Sequence, residues 1–482
     1  MPAQKNLVKL SSEMIHYACQ QLAIRAGIAH GGAGVTSFEP LGVTIHYGKP
    51  DEVRSANSYT ISVIPCAPGA WEFLLERAPN SLCWIPASET VPLGMSLPFD
   101  DPVPVLLWGE GYEDGNKPFA ELCPDGAIVF YADIIAATFF MLSRWEETVV
   151  PTRDQHGRFP GMASVAYKQG FLDRPIVDEY ALILREWMKA LLPSWEPEPR
   201  LFAVRLSHDM DMVRRFSSRC RGVRTIGRAL IMQRDLGLAW QSLMGTLRVE
   251  SDPYFQGLQT LINLSKDYGL DSAFYFMAVP PAPFDKDLRL SAPIVKHCIQ
   301  LVRAEGFEIG FHPSSHAFDN FERFLSEKKA LEVALGTSQF GGRQHNLLFQ
   351  VPNTWRYWEQ AGLAYDSTMG YADHEGFRCG TCYPFHPFDI EANRELGILE
   401  VPLIVMDATL RQYRNLTCEQ AENRILELAQ RCRQVGGTFT LLWHNSSLSG
   451  EWRAWAEMYR QVLGMLEKMG EGDANSGANA TV

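Results

Sequence analysis

Basic charge is in short supply in this chain. Its 482 residues carry 44 Lys and Arg against 56 Asp and Glu, a formal net charge of -12. A nucleic-acid partner or an anionic membrane surface favours a basic face, so the balance argues against both. Long apolar runs are missing too. The longest, Ile128 to Leu142, is interrupted by Asp133 and is too short to cross a bilayer; it reads as a buried strand running into a helix, and no membrane span is expected. The opening residues Met1-Pro2-Ala3-Gln4-Lys5-Asn6-Leu7 lack the positive start, apolar run and cleavage site of a secretory signal, so the expected location is cytoplasmic. Ten cysteines scattered over so long a chain make no disulfide framework. Cys379-Gly380-Thr381-Cys382 has redox or half-zinc spacing, but no second pair accompanies it, and reduced core thiols are the expectation.

What is present is ample core-forming material. Hydrophobic residues make up 46% of the chain, enough for two domains. Up to about Pro199, short apolar runs (Gly42 to Tyr47, Tyr59 to Pro65, Val103 to Gly109) alternate with helical patterns at Asp133 to Glu147 and Asp178 to Leu192. This predicts a smaller α/β domain over residues 1–197, ending where three prolines fall between Pro193 and Pro199. From Leu201 the pattern becomes strand, loop, helix, repeated. The strand-like segments are Leu201 to Ser207, Ser272 to Val279, Phe307 to Phe311, Gly341 to His345, Ala364 to Thr368, Leu399 to Val405 and Thr438 to Trp443. Helices are predicted from Asp252-Pro253 to about Asp267, over Ser291 to Ala304 and over Leu416 to Gln434. About seven strands alternating with helices predict a (β/α) barrel over residues 198–469, and the Gly-, Ala-, Asn- and Ser-rich tail 470–482 is expected to be disordered.

Chemistry-bearing residues fall at the ends of these strands. Ser207-His208-Asp209-Met210-Asp211 places two carboxylates at i, i+2, on the same side of an extended chain. His312-Pro313-Ser314-Ser315-His316 places two imidazoles at i, i+4, and Pro313 as a first-turn residue would set His316 one helical turn beyond His312. One carboxylate with two imidazoles makes a metal site with open positions, and the other carboxylate is left free to take a proton. His345 and His444 stand at later strand ends; His208 and His345 are as well explained by core packing as by a place around the site. Around the loop Gly370 to Phe388, aromatic residues suit either sugar stacking or plain packing, and Trp355 and Trp358 are spaced to pack a helix.

Taken in order, Ser207-His-Asp-Met-Asp211, His312-Pro-Ser-Ser-His316, Gly342-Arg343-Gln344-His345, Tyr365-Asp366-Ser367-Thr368 and Leu442-Trp443-His444-Asn445 resemble the motifs of the polysaccharide deacetylase family, the chitooligosaccharide deacetylase-like enzymes, over roughly Leu201 to Leu466. Phe139 to Glu147 and Leu172-Asp173-Arg174-Pro175 are similar to the extra N-terminal domain of a bacterial branch found with exopolysaccharide genes. The resemblance implies a distorted (β/α)7 barrel. It makes Asp209 the general base, Asp211, His312 and His316 the ligands of a divalent metal, with zinc first in line, Arg343 the residue that orients the base, and His444 the proton donor to the leaving group. Asp366 would anchor the site through Arg343. The implied substrate is an N-acetylated carbohydrate, free or carried on a nucleotide or lipid, losing acetate. Two departures stand out. His345 is followed by Asn346-Leu347-Leu348-Phe349 where relatives carry a second arginine, and the first motif is Asp-x-Asp instead of adjacent aspartates. Hydrolysis of a non-sugar amide, or glycan binding without cleavage, are the competing expectations.

Overall fold

The strand Ala203–Met210 is the spine of the structure. Leu206, His208 and Met210 alternate with Ser207 and Asp209 along it, so one face packs into the core while the other presents polar groups. It pairs in parallel with Asp271–Met277 on one side and Thr438–Leu442 on the other. Glu308–His312 and Val405–Met406 extend the sheet to five parallel strands. Beyond Glu308–His312 the pairing continues as single bridges, Phe311 to Gly342 and Gly342 to Asp366, then as the short parallel pair Tyr365–Asp366 with Leu399–Glu400. The fold is thus mixed α/β on a parallel sheet. Six of the expected strands contain paired strand residues, whereas Gly341 to His345 pairs only through Gly342 and enters a helical turn at His345, and continuous ladders do not close the set into a seven-stranded barrel.

The computed structural model describes residues 9–28, 37–38, 42–49, 59–112, 117–216, 219–234, 236–279 and 289–478. Helices Pro253–Asp267 and Cys418–Gln434 form where capping residues place them, since Asp252 accepts from Tyr254 N–H and Thr417 and Gln420 form a reciprocal capping box, while Pro293–Ala304 starts on a first-turn proline without a side-chain cap. Gly342 is required by crowding, since a Cβ there would stand 1.9 Å from the Phe311 carbonyl oxygen. That close approach carries Arg343 into the interior.

The N-terminal region has its own five-stranded sheet, in which Val43–Tyr47, Tyr59–Val63 and Ile128–Phe130 run parallel between antiparallel edges. Helices Ser12–Ala26, Ile134–Ser143 and Ile176–Leu191 accompany it. The proline-rich junction after Leu192 is irregular and mostly exposed. The two regions nevertheless share one apolar core running from Tyr17 to Leu466. Tyr17, Phe139 and Phe388 meet with ring centroids 5.1 to 6.0 Å apart.

A buried ion network crosses the same boundary. Glu147 accepts from Arg144 Nε at 2.9 Å and from Arg378 Nε and Nη2 at 2.9 and 2.6 Å, and all three side chains are enclosed. Burial opposes ionisation of Glu147, but the two guanidinium groups prevail and hold its carboxyl below the usual range. Glu147→Gln strips Arg378 of its carboxylate and is expected to cost about 3–5 kcal/mol, read as a lower urea midpoint at unchanged m.

This packing settles several sequence expectations. Tyr371, Phe377, Tyr383 and Phe385 are buried, and Tyr371 receives Arg144 Nη2 at 3.0 Å, so these rings serve packing. Trp355 and Trp358 are fully buried as expected. Cys379 and Cys382 are buried too, and burial pushes both thiols up, away from redox reactivity. The tail 470–482, expected to be disordered, falls partly within the described residues. The helix that starts at Arg453 runs to Ala478, because Trp455, Tyr459, Val462 and Leu466 anchor its first turns in the core and elongation from a formed helix is easy. Residues 479–482 lie outside the described residues.

Candidate metal centre and active site

Four strand ends converge on one cavity of about 210 Å³, lined among others by Asp209, Asp211, His312, His345, Met406 and His444. Active sites at strand C-termini are the rule in (β/α) architectures. Here the parallel register brings Asp209 level with Tyr275 and His312 level with Met277.

His312 closes the strand Glu308–His312. Its Nδ1 donates to the Arg343 carbonyl at 2.7 Å, which aims Nε2 at Asp211 Oδ1, 3.0 Å away. His345 Nε2 lies 3.6 Å from the same oxygen, and its ring meets that of His312 edge-on at 5.2 Å. Asp211, His312 and His345 each offer a donor atom within 4.8 Å of the others. Two ligands each about 2.1 Å from one ion stand roughly 3.0–3.4 Å apart, so the 3.0 Å between Asp211 and His312 matches an edge of a coordination shell, while His345, at 3.6 Å, would have to draw in slightly to complete it. The chemistry of the set fits as well: one carboxylate, and one imidazole whose outer nitrogen is held by a backbone carbonyl, the usual support of a histidine ligand. His345 Nδ1, by contrast, is buried with no hydrogen-bond partner among the described residues. Burial works against the charge on Asp211, but the hydrogen bond from His312 and the charges of His345 and His444 hold its carboxyl far below its usual range.

His316 is not brought to this cluster. The segment after His312 forms turns instead of the predicted helix, because Glu327 captures Ser314 by both its backbone N–H, at 2.7 Å, and its hydroxyl, at 2.6 Å. Ala317 is then buried and His316 faces outward, lining a separate cavity of about 1330 Å³ between helices Pro293–Ala304 and Phe321–Leu335. Of the expected donors Asp211, His312 and His316, the structure brings the first two together and sets His345, not His316, beside them.

Asp209 stands beside this group without joining it. Its Oδ1 accepts from Arg343 Nη1 at 3.0 Å, and its Oδ2 lies 3.9 Å from His312 Nε2. Arg343 is fully buried, and the rest of its guanidinium is occupied by Ser207 Oγ, Ser367 Oγ and the Ser367 carbonyl. The anchor of Arg343 is thus Ser367, where Asp366 was expected. Asp366 lies behind, with Thr368 on one oxygen and Glu400 as neighbour; burial of two adjacent carboxyls raises both and favours a shared proton.

His444 faces the cavity from the opposite wall, its Nε2 3.9 Å from Asp211 Oδ2. Its Nδ1 donates to Asp407 Oδ1 at 2.7 Å, and Asp407 Oδ2 accepts the His444 backbone N–H at 2.9 Å. Asp407 was missed by sequence reasoning. It directly follows the strand end Val405–Met406, the same placement that singled out Asp209 and Asp211, and that signal could have found it. Burial disfavours the imidazolium, yet the charge and hydrogen bond of Asp407, with Asp211 and Asp209 behind, push His444 up to about 10. Asp407→Asn should lower the His444 titration by at least about one unit, as followed by histidine NMR. Because the folded value exceeds the unfolded one of about 6.5, stabilisation from this pair is full below that pH and is lost as pH rises toward 10.

His208 belongs to the core. Its Nδ1 meets the Trp443 carbonyl at 2.8 Å, and burial holds it down at about 4 and neutral. Arg158, from the N-terminal region, roofs the cavity by donating to the Asn346 carbonyl and to Tyr413 Oη at 3.1 and 3.0 Å.

Comparison with known proteins adds little. A family of unknown function, DUF7033, matches residues 89–193, the part of the N-terminal region that contains Phe139 to Glu147 and Leu172 to Pro175. Among curated proteins no sequence matches this chain. A solved structure from Mycobacterium smegmatis, described as a putative polysaccharide deacetylase, is similar at 16% identity with a TM-score of 0.36, covering 59% of this chain and 93% of that one. A likeness of that extent fixes neither catalytic residues nor substrate.

Proposed function

We propose that this protein is a metal-dependent amide hydrolase that removes acetyl groups from an N-acetylated carbohydrate. The supporting observation is the grouping around one cavity of three side chains able to hold a metal, a separate carboxylate held by a buried arginine, and a histidine hydrogen-bonded to its own aspartate. Asp211, His312 and His345 would hold the cation. A bound divalent ion supplies Lewis acidity, polarising the amide carbonyl and bringing the pKa of water to about 7. Asp209, fixed by Arg343, takes the proton from the attacking water. His444, cationic at neutral pH, gives a proton to the departing amine, and Asp407 keeps its Nε2 turned toward the cavity. Zinc is the cation proposed on ligand type, because two imidazoles and one carboxylate suit it.

The test is metal analysis of the purified protein followed by acetate release from N-acetylated sugars, with and without chelator. Release that stops on chelation and returns with the ion is the expected result. Hydrolysis confined to non-sugar amides would move the substrate class, and stoichiometric metal with no hydrolysis of any amide would sink the enzymatic reading.

A further inference from the structure

Between the spine strand and the helix Pro253–Asp267 lies a helical hairpin: Arg219–Arg228, a turn of π-helix over Ala229–Gln233, and Leu236–Leu247. Its arms pack closely, for a Cβ on Gly222 would meet Thr246 Oγ1 at 2.1 Å. Its root is firmly tied. Arg214 Nη2 donates to the Gly245 and Thr246 carbonyls at 2.9 Å each, and the backbone N–H groups of Arg215 and Phe216 donate to the Asp252 carboxylate at 2.9 Å.

A hairpin held this well has no structural need to keep apolar side chains in water, yet it does. At its tip Ile231 is 80% exposed and Met232 76%. Along the second arm Leu236, Trp240, Leu243 and Leu247, spaced i, i+4, i+7 and i+11, form one stripe that is 38 to 76% exposed. A contiguous outward apolar face of this kind marks a contact surface.

Charge indicates what covers it. Residues 212–234 contain seven arginines and no acidic residue, in a chain whose net charge is -12. Arg224, Arg228 and Arg234 are exposed on the hairpin. Apolar residues including a tryptophan, bordered by exposed arginines, are the composition of a helix that lies in a lipid headgroup layer. A second copy is a poor occupant, because a two-fold contact would set these arginines against their own counterparts. We propose that the hairpin seats the protein on an anionic bilayer surface, Ile231, Met232 and Trp240 entering the headgroup layer while the arginines meet lipid phosphates. No helix among the described residues is long and apolar enough to cross a membrane, so the contact is peripheral. The proposal stands apart from the hydrolytic reading and is tested without activity.

The experiment is co-sedimentation of the full chain with vesicles of phosphatidylcholine alone and of phosphatidylcholine with phosphatidylglycerol, over a salt series. Binding to the anionic vesicles about tenfold stronger than to the neutral ones, and weakening with salt, is expected. The double variants I231S/W240S and R224E/R228E should each lose about tenfold in binding at unchanged unfolding midpoint. Failure of the unsubstituted chain to bind, or equal binding to both vesicles at all salt concentrations, overturns the proposal whatever the variants do. So does a concentration-dependent dimer that I231S/W240S dissolves, since the face would then belong to a second copy.

Discussion

His345→Ala is expected to strip the protein of its divalent cation and lower turnover by roughly a thousandfold or more, whereas His316→Ala leaves both within about twofold. The contrast rests on position alone. His345 Nε2 is 3.6 Å from Asp211 Oδ1, within the group that includes His312, while His316 is exposed and lines a different cavity. Loss of one of three ligands leaves a carboxylate and a single imidazole, too few to compete with water for the ion. Elemental analysis after dialysis reads the first effect and acetate release the second. Metal lost from the His316 variant and retained by the His345 variant would return the ligand set to the i, i+4 pair.

Strand ends are legible in the sequence because apolar runs of the right length alternate with capped helices, and Asp209, Asp211, His312, Arg343 and His444 all lie where that alternation puts them. The choice between His316 and His345 depends on the conformation of the residues after His312. Pro313 is compatible with a first helical turn, and nothing local reveals that Glu327, on a later helix, takes both donors of Ser314 and turns the segment away. His345 is visible at a strand end, but its reach into the site depends on the approach of Gly342 to Phe311, a long-range contact. Asp407 has the right local signature and escapes notice because it lies in none of the motifs that carry the family resemblance. The arginine-rich hairpin is hidden by averaging: whole-chain net charge cancels seven arginines that fall within a single short segment.

Asp209→Asn should keep the metal and abolish most of the chemistry, a loss of about 10²–10⁴ in kcat with little change in KM. The carboxylate lies outside the three-donor group, so its removal takes no ligand away. An amide keeps the size of the side chain and can still accept from Arg343 Nη1, while the other guanidinium contacts, to Ser207 and Ser367, are untouched. What is lost is the capacity to accept a proton from water. Arg343→Lys probes the same function from behind: one ammonium cannot span Ser207, Asp209 and Ser367 as the planar fork does, so the base is left poorly aimed although the charge survives. Turnover should then fall while metal content holds. The outcome that reverses the division of labour is specific: if Asp209→Asn releases the metal and Asp211→Asn retains it, Asp209 is the ligand and Asp211, about a third exposed at the cavity mouth, is the base.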